Sequence, residues 1–307
     1  MTSSLPTSYR ANGKLLISGE YLVLHGAQAL AIPLKYGQKI EVKPNPHDFF
    51  KWGAYSPSGL WMEMRMDEAF NLIDTTSYTM ANTLISILKQ VISYRPNIVN
   101  DLTNKTIETH LEFDTHWGWG SSSTLLSCLA QWLGVNPYLL LQDTFGGSGY
   151  DIACATSGTP ITYSLTAGIP IIQPVKFAPA FKNHIYFIYT GCKQSSKNEL
   201  KRISNHTIQP QHINRINELT NLMLECDQLD AFGQLVNEHE SIIGHSIKRT
   251  PIKIEQFADF KGYIKSLGAW GGDFIMVVTE KTELYVHDYF KKHHLHTIFK
   301  YNDITIS

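Results

Sequence analysis

The chain has few cysteines, and the four it contains follow no recognisable pattern. They are Cys128, Cys154, Cys192 and Cys226, and no two of them form a C-x-x-C pair. Zinc ribbons and disulfide frameworks need cysteines at close and regular spacing. Both classes are therefore excluded, and each cysteine is expected to be a small core residue.

Long hydrophobic runs and an excess of charge are also missing. The formal net charge of the 307 residues is −1, so no bulk positive field favours a nucleic-acid partner. The longest apolar-leaning run, Thr124–Val135, is too short to span a bilayer. The segment Met1–Arg10 has no apolar signal-peptide core. We expect a cytoplasmic protein that binds neither nucleic acid nor a membrane.

The familiar nucleotide and hydrolase motifs are absent as well. A P-loop requires G-x-x-x-x-G-K-[ST], but Gly13-Lys14 is followed by Leu15, and Ser8 stands where the first glycine should be. The dinucleotide fingerprint fails because Ser123 occupies its third glycine position. No G-x-S-x-G nucleophile elbow occurs.

A glycine-serine segment, Gly118-Trp119-Gly120-Ser121-Ser122-Ser123, directly precedes a helical pattern over Thr124–Leu133. Helix N-termini carry free N–H groups and a partial positive charge, and glycines let an anion approach the backbone closely. The segment is therefore a candidate phosphate cradle. Ordinary helix capping by serine is the alternative.

Helical and strand-like patterns intermix along the whole chain, which predicts an α+β fold. We expect short strands over Tyr21–Leu24, Ala29–Pro33 and Lys39–Lys43, and a helical segment over Ile254–Leu267. The proline-rich stretch Pro170–Pro179 suggests a boundary between domains of residues 1–180 and 181–307.

Four segments, in this order, resemble the motifs of the GHMP small-molecule kinase superfamily. These are Ala11-Asn12-Gly13-Lys14 with Gly19-Glu20-Tyr21 (A-P-G-K…G-E-[HY]), Gly118–Ser123 (G-L-G-S-S-A), Gly147-Ser148-Gly149-Tyr150-Asp151-Ile152-Ala153 (G-S-G-F-D-V-A), and Lys265 with Gly268-Ala269-Trp270-Gly271-Gly272-Asp273 (K-x-x-G-A-G-G-G-D). The G-S-G-Y-D-I-A form and the G-G-D ending are most similar to phosphomevalonate kinases.

Apart from Tyr150 in place of phenylalanine and Ile152 in place of valine, the chain departs from this pattern at five positions. Asn12 and Asp114 replace prolines, Ser123 replaces alanine, and Trp119 and Trp270 replace a leucine and a glycine. Each tryptophan is expected either to fold against the nucleotide or narrow the pocket, or to pack between the two domains.

The resemblance implies a two-domain GHMP kinase fold, with a left-handed βαβ unit in the N-terminal domain and a ferredoxin-like C-terminal domain. It also implies an ATP- and Mg²⁺-dependent kinase, monomeric or homodimeric, that acts on a small anionic substrate. Phosphomevalonate is the first candidate acceptor and mevalonate the second. A catalytically silent regulator that binds a nucleotide or metabolite and a diphosphomevalonate decarboxylase remain open alternatives.

The resemblance assigns roles to specific residues. Gly118, Gly120, Ser121, Ser122 and Ser123 would bind the ATP phosphates, with Ser122 also a Mg²⁺ ligand. A third glycine loop, which we define as Gly268, Ala269, Trp270, Gly271 and Gly272, would bring further backbone to the phosphates. Asp151 and Lys14 would be catalytic, and Lys14, Glu20, Ser148 and Gly149 would bind the substrate.

Two further assignments have equally ordinary alternatives. The segment Thr190–Ser196 resembles a phosphomevalonate kinase motif. Lys193 within it, and Lys197 and Arg202 after it, either bind an acidic substrate or form a solvated basic face. Asp143 is either a second Mg²⁺ ligand or a solvated carboxylate near a helix end.

Overall fold

The computed structural model describes residues 7–47, 49–192, 208–270 and 272–306. Contacts between residues divide the chain into two compact units. The first unit comprises Met1–Gly13, Tyr36–Thr115 and Gly120–Thr156, and the second comprises Lys14–Lys35, His116–Trp119 and Ser157–Ser307. The predicted boundary near residue 180 stays a prediction.

The sheet of the first unit has the strand order β5-β4-β3-β6-β2. The strands are β2 (Ala29–Pro44, of which residues 36–44 belong to this unit), β3 (Phe50–Ser56), β4 (Gly59–Met66), β5 (Leu72–Thr75) and β6 (Lys105–Leu111). Strand β3 pairs in parallel with β6, and the other neighbouring pairs are antiparallel. Strand β1 (Thr7–Ser18) pairs with β2.

Five α-helices belong to the described part of the first unit. They are α1 (Tyr78–Tyr94), α2 (Val99–Leu102), α3 (Ser121–Leu133), α4 (Pro137–Thr144) and α5 (Tyr150–Thr156). Apolar residues of α1 and α3 recur at helical spacing, which gives each helix one buried face. These faces and the sheet form one core, which includes Trp52, Met64, Leu88, Ile107 and Leu129.

The second unit contains a four-stranded antiparallel sheet of order β10-β11-β9-β12. The strands are β9 (Ile185–Tyr189), β10 (Tyr263–Leu267), β11 (Phe274–Val278) and β12 (Ile298–Lys300). Helices lie between β9 and β10 and between β11 and β12 in the chain. This order is consistent with the predicted ferredoxin-like arrangement.

The described helices of the second unit are α6 (Pro210–Glu225), α7 (Leu229–Ile247), α8 (Ile252–Gln256), α9 (Glu283–Lys292) and α10 (Tyr301–Ile304). A hairpin of β7 (Ile161–Thr166) and β8 (Ile169–Pro174) also belongs to this unit and pairs with residues 29–31 of β2. The α+β prediction is confirmed.

Two of the predicted elements were wrong. Residues 22–25 form a 3₁₀ helix, Leu22–His25, where a strand was expected. Gly19 (φ +85°) and Gly26 (φ +91°) are left-handed on either side of it, so the chain reverses there between β1 and β2. Ile254–Leu267 was expected to be helical, but α8 ends at Gln256 and β10 follows. Pairing with β11 overrides the helical pattern.

Strand β2 is continuous where two separate strands were expected. Gly37 lies inside this strand. A side chain does not fit there, because a Cβ at this position would be 2.1 Å from the carbonyl oxygen of Ala11 in β1. The glycine thus permits close backbone approach and does not end the strand. Among the described residues, no helix is both long and apolar enough to cross a membrane.

Candidate active site

The phosphate-cradle segment leads directly into α3 in the first unit. Gly120 precedes the helix with φ +91° and provides no side-chain cap for its first turn. The N–H groups of that turn are hydrogen-bond donors of the kind that an anionic ligand accepts from. Ser122 is exposed, whereas Ser123 is buried and its hydroxyl donates to the carbonyl oxygen of Gly120 at 2.9 Å.

Asp151 is the second residue of α5 and lies in its first turn. It follows three left-handed glycines, Gly146, Gly147 and Gly149. Its Oδ1 accepts a hydrogen bond of 3.0 Å from the N–H of Ile152. Helix α5 packs against α3, so the predicted catalytic carboxylate and the cradle helix belong to one packed pair.

The environment of Asp151 includes a phenol that stays neutral. Burial, reinforced by the charge of Asp151, raises the pKa of Tyr138 to about 12. Tyr138 is the second residue of α4, and its N–H donates to the side-chain oxygen of the N-cap Asn136 at 2.9 Å. Ser148 is half-buried and Gly149 is buried in the turn before Asp151.

Lys14 hydrogen-bonds the first two residues of the cradle segment, which belong with it to the second unit. Its Nζ donates to the carbonyl oxygen of Gly118 at 3.0 Å, and its backbone N–H donates to the carbonyl oxygen of Trp119 at 3.1 Å. The structure therefore brings the lysine of the first motif onto the cradle segment. The sequence predicted both residues as functional but not their contact.

Asp273, at the end of the third glycine loop, lies against Gly118. A Cβ on Gly118 (φ +59°) would be 2.4 Å from both Cγ and Oδ2 of Asp273. Asp273 itself has φ +54°, and its carbonyl oxygen accepts from the N–H and the hydroxyl of Thr190 at 2.9 and 3.0 Å. Asp273 was not among the predicted site residues, although it ends the motif that was recognised.

Both tryptophans that depart from the family pattern are buried, and each packs against side chains of the second unit. Trp119 is 0% exposed and contacts the rings of Trp117, Phe274 and Phe299. Trp270 is 1% exposed and belongs to a core cluster with Tyr21. Ala269 and Gly272 are also buried, and Gly268 has φ +69°.

Glu20 belongs to a buried cluster of ionisable residues in the second unit, not to a surface turn. It is 1% exposed and pairs with Lys265, which is 0% exposed. His239 and Glu240 of α7 complete the cluster. The Nε2 of His239 lies 3.5 Å from Glu20 Oε2, and Glu240 Oε1 lies 3.8 Å from Lys265 Nζ.

Burial controls the protonation of this cluster. It raises the pKa of Glu20, against the opposing charge of Lys265, and raises the pKa of Glu240 to about 8. It also lowers the pKa of His239 well below its ordinary value. A neutral His239 fits the geometry, because its Nε2 accepts a hydrogen bond of 3.1 Å from the N–H of Gly19.

Asp143 has partners within the first unit, and four other predicted residues lie outside the described part of the chain. Asp143 lies on α4, where its Oδ2 accepts from Tyr94 Oη at 2.5 Å and from Gln90 Nε2 at 3.2 Å. It is thus engaged within the first unit. Gly271 and the basic residues Lys193, Lys197 and Arg202 lie outside the described residues.

Comparison with known proteins identifies similar folds but no similar sequences. No protein-family model matches the chain, and no curated protein matches it. Solved structures do match over nearly the full length. Mevalonate kinase from Methanococcus jannaschii is 15% identical, with a TM-score of 0.72 over 100% of this chain and 99% of that one.

Two further structures are similar at comparable coverage. Phosphomevalonate kinase from Streptococcus pneumoniae, in complex with phosphomevalonate and AMPPNP, is 17% identical, with a TM-score of 0.70 over 96% of this chain and 99% of that one. Galactokinase from Lactococcus lactis, complexed with galactose, is 12% identical, with a TM-score of 0.70 over 97% of this chain and 93% of that one. The chain therefore has the GHMP kinase fold that its sequence motifs predict.

Proposed function

We propose that this protein is an ATP-dependent kinase that transfers a phosphoryl group to a small anionic acceptor, with phosphomevalonate the favoured acceptor. The observation that carries the proposal is the position of Lys14, whose Nζ and backbone N–H both hydrogen-bond the cradle segment. A fold shared with mevalonate, phosphomevalonate and galactokinase structures supports it. Mevalonate is the second candidate acceptor.

Phosphoryl transfer depends mainly on positioning and on stabilisation of charge. In this proposal, the backbone of Gly118, Gly120 and the first turn of α3 binds the ATP phosphates, and the exposed Ser122 hydroxyl is a ligand for Mg²⁺. The metal ion would neutralise charge on the phosphates. The buried Ser123 contributes its backbone, since its hydroxyl is already bonded to Gly120.

Asp151 orients the attacking group of the acceptor in this proposal. If that group is a phosphate, it is already ionised near neutral pH and needs no strong base. Lys14 supplies positive charge for the transferring group and, with Ser148 and Gly149, contacts the acceptor. Gly268, Ala269, Gly271 and Gly272 bring further backbone toward the phosphates.

The test is an ADP-release assay with Mg²⁺-ATP against mevalonate, phosphomevalonate, diphosphomevalonate, galactose and homoserine. Wild-type protein is compared with Asp151→Ala and with the control Asp101→Ala. Asp101 is also an aspartate in the first turn of a helix of the first unit, and it is exposed.

Turnover of phosphomevalonate that is lost only in Asp151→Ala would support the proposal. Carbon dioxide release from diphosphomevalonate would identify a decarboxylase. ATP binding without turnover of any acceptor would contradict the kinase proposal and favour a binding protein.

A further inference from the structure

Two sequence motifs separated by more than 200 residues are joined by buried contacts within the second unit. The turn Gly19-Glu20-Tyr21 belongs to the first of the four motifs, and Lys265 begins the last, which contains the third glycine loop. Lys265 donates from Nζ to Glu20 Oε1 and to the carbonyl oxygen of Ser266, the latter at 2.9 Å. The two charged side chains are 0% and 1% exposed.

Trp270 is held on both sides of its backbone. Its N–H donates to the phenolic oxygen of Tyr21 at 2.8 Å, and its carbonyl oxygen accepts from Arg249 Nη1 at 2.6 Å. Its indole packs over Gly244 of α7, where an added Cβ would be 3.3 Å from the ring. A glycine at position 270, the usual residue of the motif, would lack the packing of the indole over Gly244.

These contacts fix the end of β10, three residues before the third glycine loop, and Trp270 within the loop. A buried ion pair is stable only in one well-matched geometry, because each ion must recover its lost hydration. Removing a hydroxyl partner from a buried N–H leaves that N–H unsatisfied. Glu20 and Tyr21, which belong to the first motif, therefore constrain residues 265 and 270 of the last motif.

We propose that Glu20 and Tyr21 are positioning residues for the third glycine loop, which they hold through Lys265 and Trp270. This assignment rests on the proposed kinase function and replaces the expected contact of Glu20 with substrate. The carboxylate of Glu20 is directed at Lys265 and is shielded from solvent. Its effect on the reaction passes through the loop backbone.

The kinetic test uses Tyr21→Phe with Tyr301→Phe as the matched control. Each variant removes one buried phenolic hydroxyl of the second unit, because the Tyr301 hydroxyl donates to the carbonyl oxygen of Phe177, outside both motifs. Misplacement of a positioning backbone lowers kcat by about 10- to 100-fold. We expect that loss in Tyr21→Phe only, with the KM for the acceptor unchanged.

Glu20→Gln tests the ion pair in the same assay, with melting temperature as a check on folding. A positioning role predicts a lower kcat at constant acceptor KM. A rise in acceptor KM without a change in kcat would mean that Glu20 contacts the substrate. Equal kcat values for Tyr21→Phe and Tyr301→Phe would also overturn the inference.

Hydrogen exchange provides a readout that needs no activity. The backbone amide of Trp270 should exchange faster in Tyr21→Phe than in wild type, and Tyr301→Phe should match wild type at this position. Unchanged exchange would overturn the inference whatever the kinetics. Faster exchange in a protein whose wild type turns over no acceptor would leave the positioning contact established and reject only the kinase proposal.

Discussion

The side chain of Lys14 donates a hydrogen bond of 3.0 Å to the carbonyl oxygen of Gly118. The charge of the first motif is thereby placed on the backbone of the glycine-serine segment. A lysine ammonium has three donors, and this contact uses one of them.

Replacing Lys14 with methionine should lower kcat by about 100-fold or more, because charge stabilisation in the transition state is lost. Lys35→Met is the matched control, since Lys35 is exposed on the same chain segment and donates to the carbonyl oxygen of Asn302. Steady-state kinetics with the acceptor identified by the ADP-release assay measure the effect. Similar kcat values for the two variants would contradict a catalytic role for Lys14.

The variant Asp151→Asn should keep its fold and its affinity for Mg²⁺-ATP while kcat falls about 100-fold, the lower range for a lost acid–base or orienting group. Asp101→Asn should keep the wild-type kcat. Circular dichroism and nucleotide titration separate folding and binding from chemistry. A kcat within twofold of wild type would remove Asp151 from the mechanism.

Gly118→Ala should destabilise the protein, because the new Cβ would lie 2.4 Å from Asp273 and the backbone has φ +59°. Backbone strain of this kind costs about 1–3 kcal/mol, and the clash adds to it. Gly168→Ala is the control, because Gly168 has φ +78° with nothing within 4 Å. Urea denaturation should show a smaller decrease in the free energy of unfolding for Gly168→Ala than for Gly118→Ala. Equal decreases would mean that Asp273 moves aside without cost.

The pKa of Glu240, raised by burial to about 8, makes stability depend on pH. The folded state holds this proton up to about pH 8, whereas the unfolded chain releases it near the ordinary glutamate value, about 4.3. The free energy of unfolding should therefore fall as pH rises between these two values.

Glu240→Gln keeps the shape of the side chain and removes the titration. The stability difference between Glu240→Gln and wild type should grow in favour of the variant from pH 5 to pH 8. Urea denaturation at four pH values measures it, and His239 is present in both proteins, so its opposite contribution cancels. A constant difference would show that Glu240 is not protonated in the folded state.

Local patterns predicted much of this molecule. The helical spacing of Thr124–Leu133 identified α3, although the helix begins at Ser121. The motif order predicted the fold, because turns that hold glycines at positive φ leave a clear trace in a sequence. The short apolar run over Tyr21–Leu24 gave a wrong strand prediction, since four residues fit a strand or a turn equally well.

Long-range pairing is what the sequence could not reveal. Lys265 and Glu20 are 245 residues apart, and each alone reads as an ordinary surface charge. Trp270 stands where the resemblance expects glycine, and its burial depends on Gly244 and Tyr21 from other segments. The contact of Lys14 with Gly118 likewise follows from the fold and not from local pattern.

The burial of Trp270 also determines at which step the backbone around it becomes ordered. Glycine-rich segments lose more conformational entropy on ordering than any others. Because the indole is part of the folded core, that loss occurs as the chain folds and opposes folding, not ligand binding. A ligand that contacts the backbone beside Trp270 meets a preorganised partner, and affinity improves when ordering costs are removed in advance.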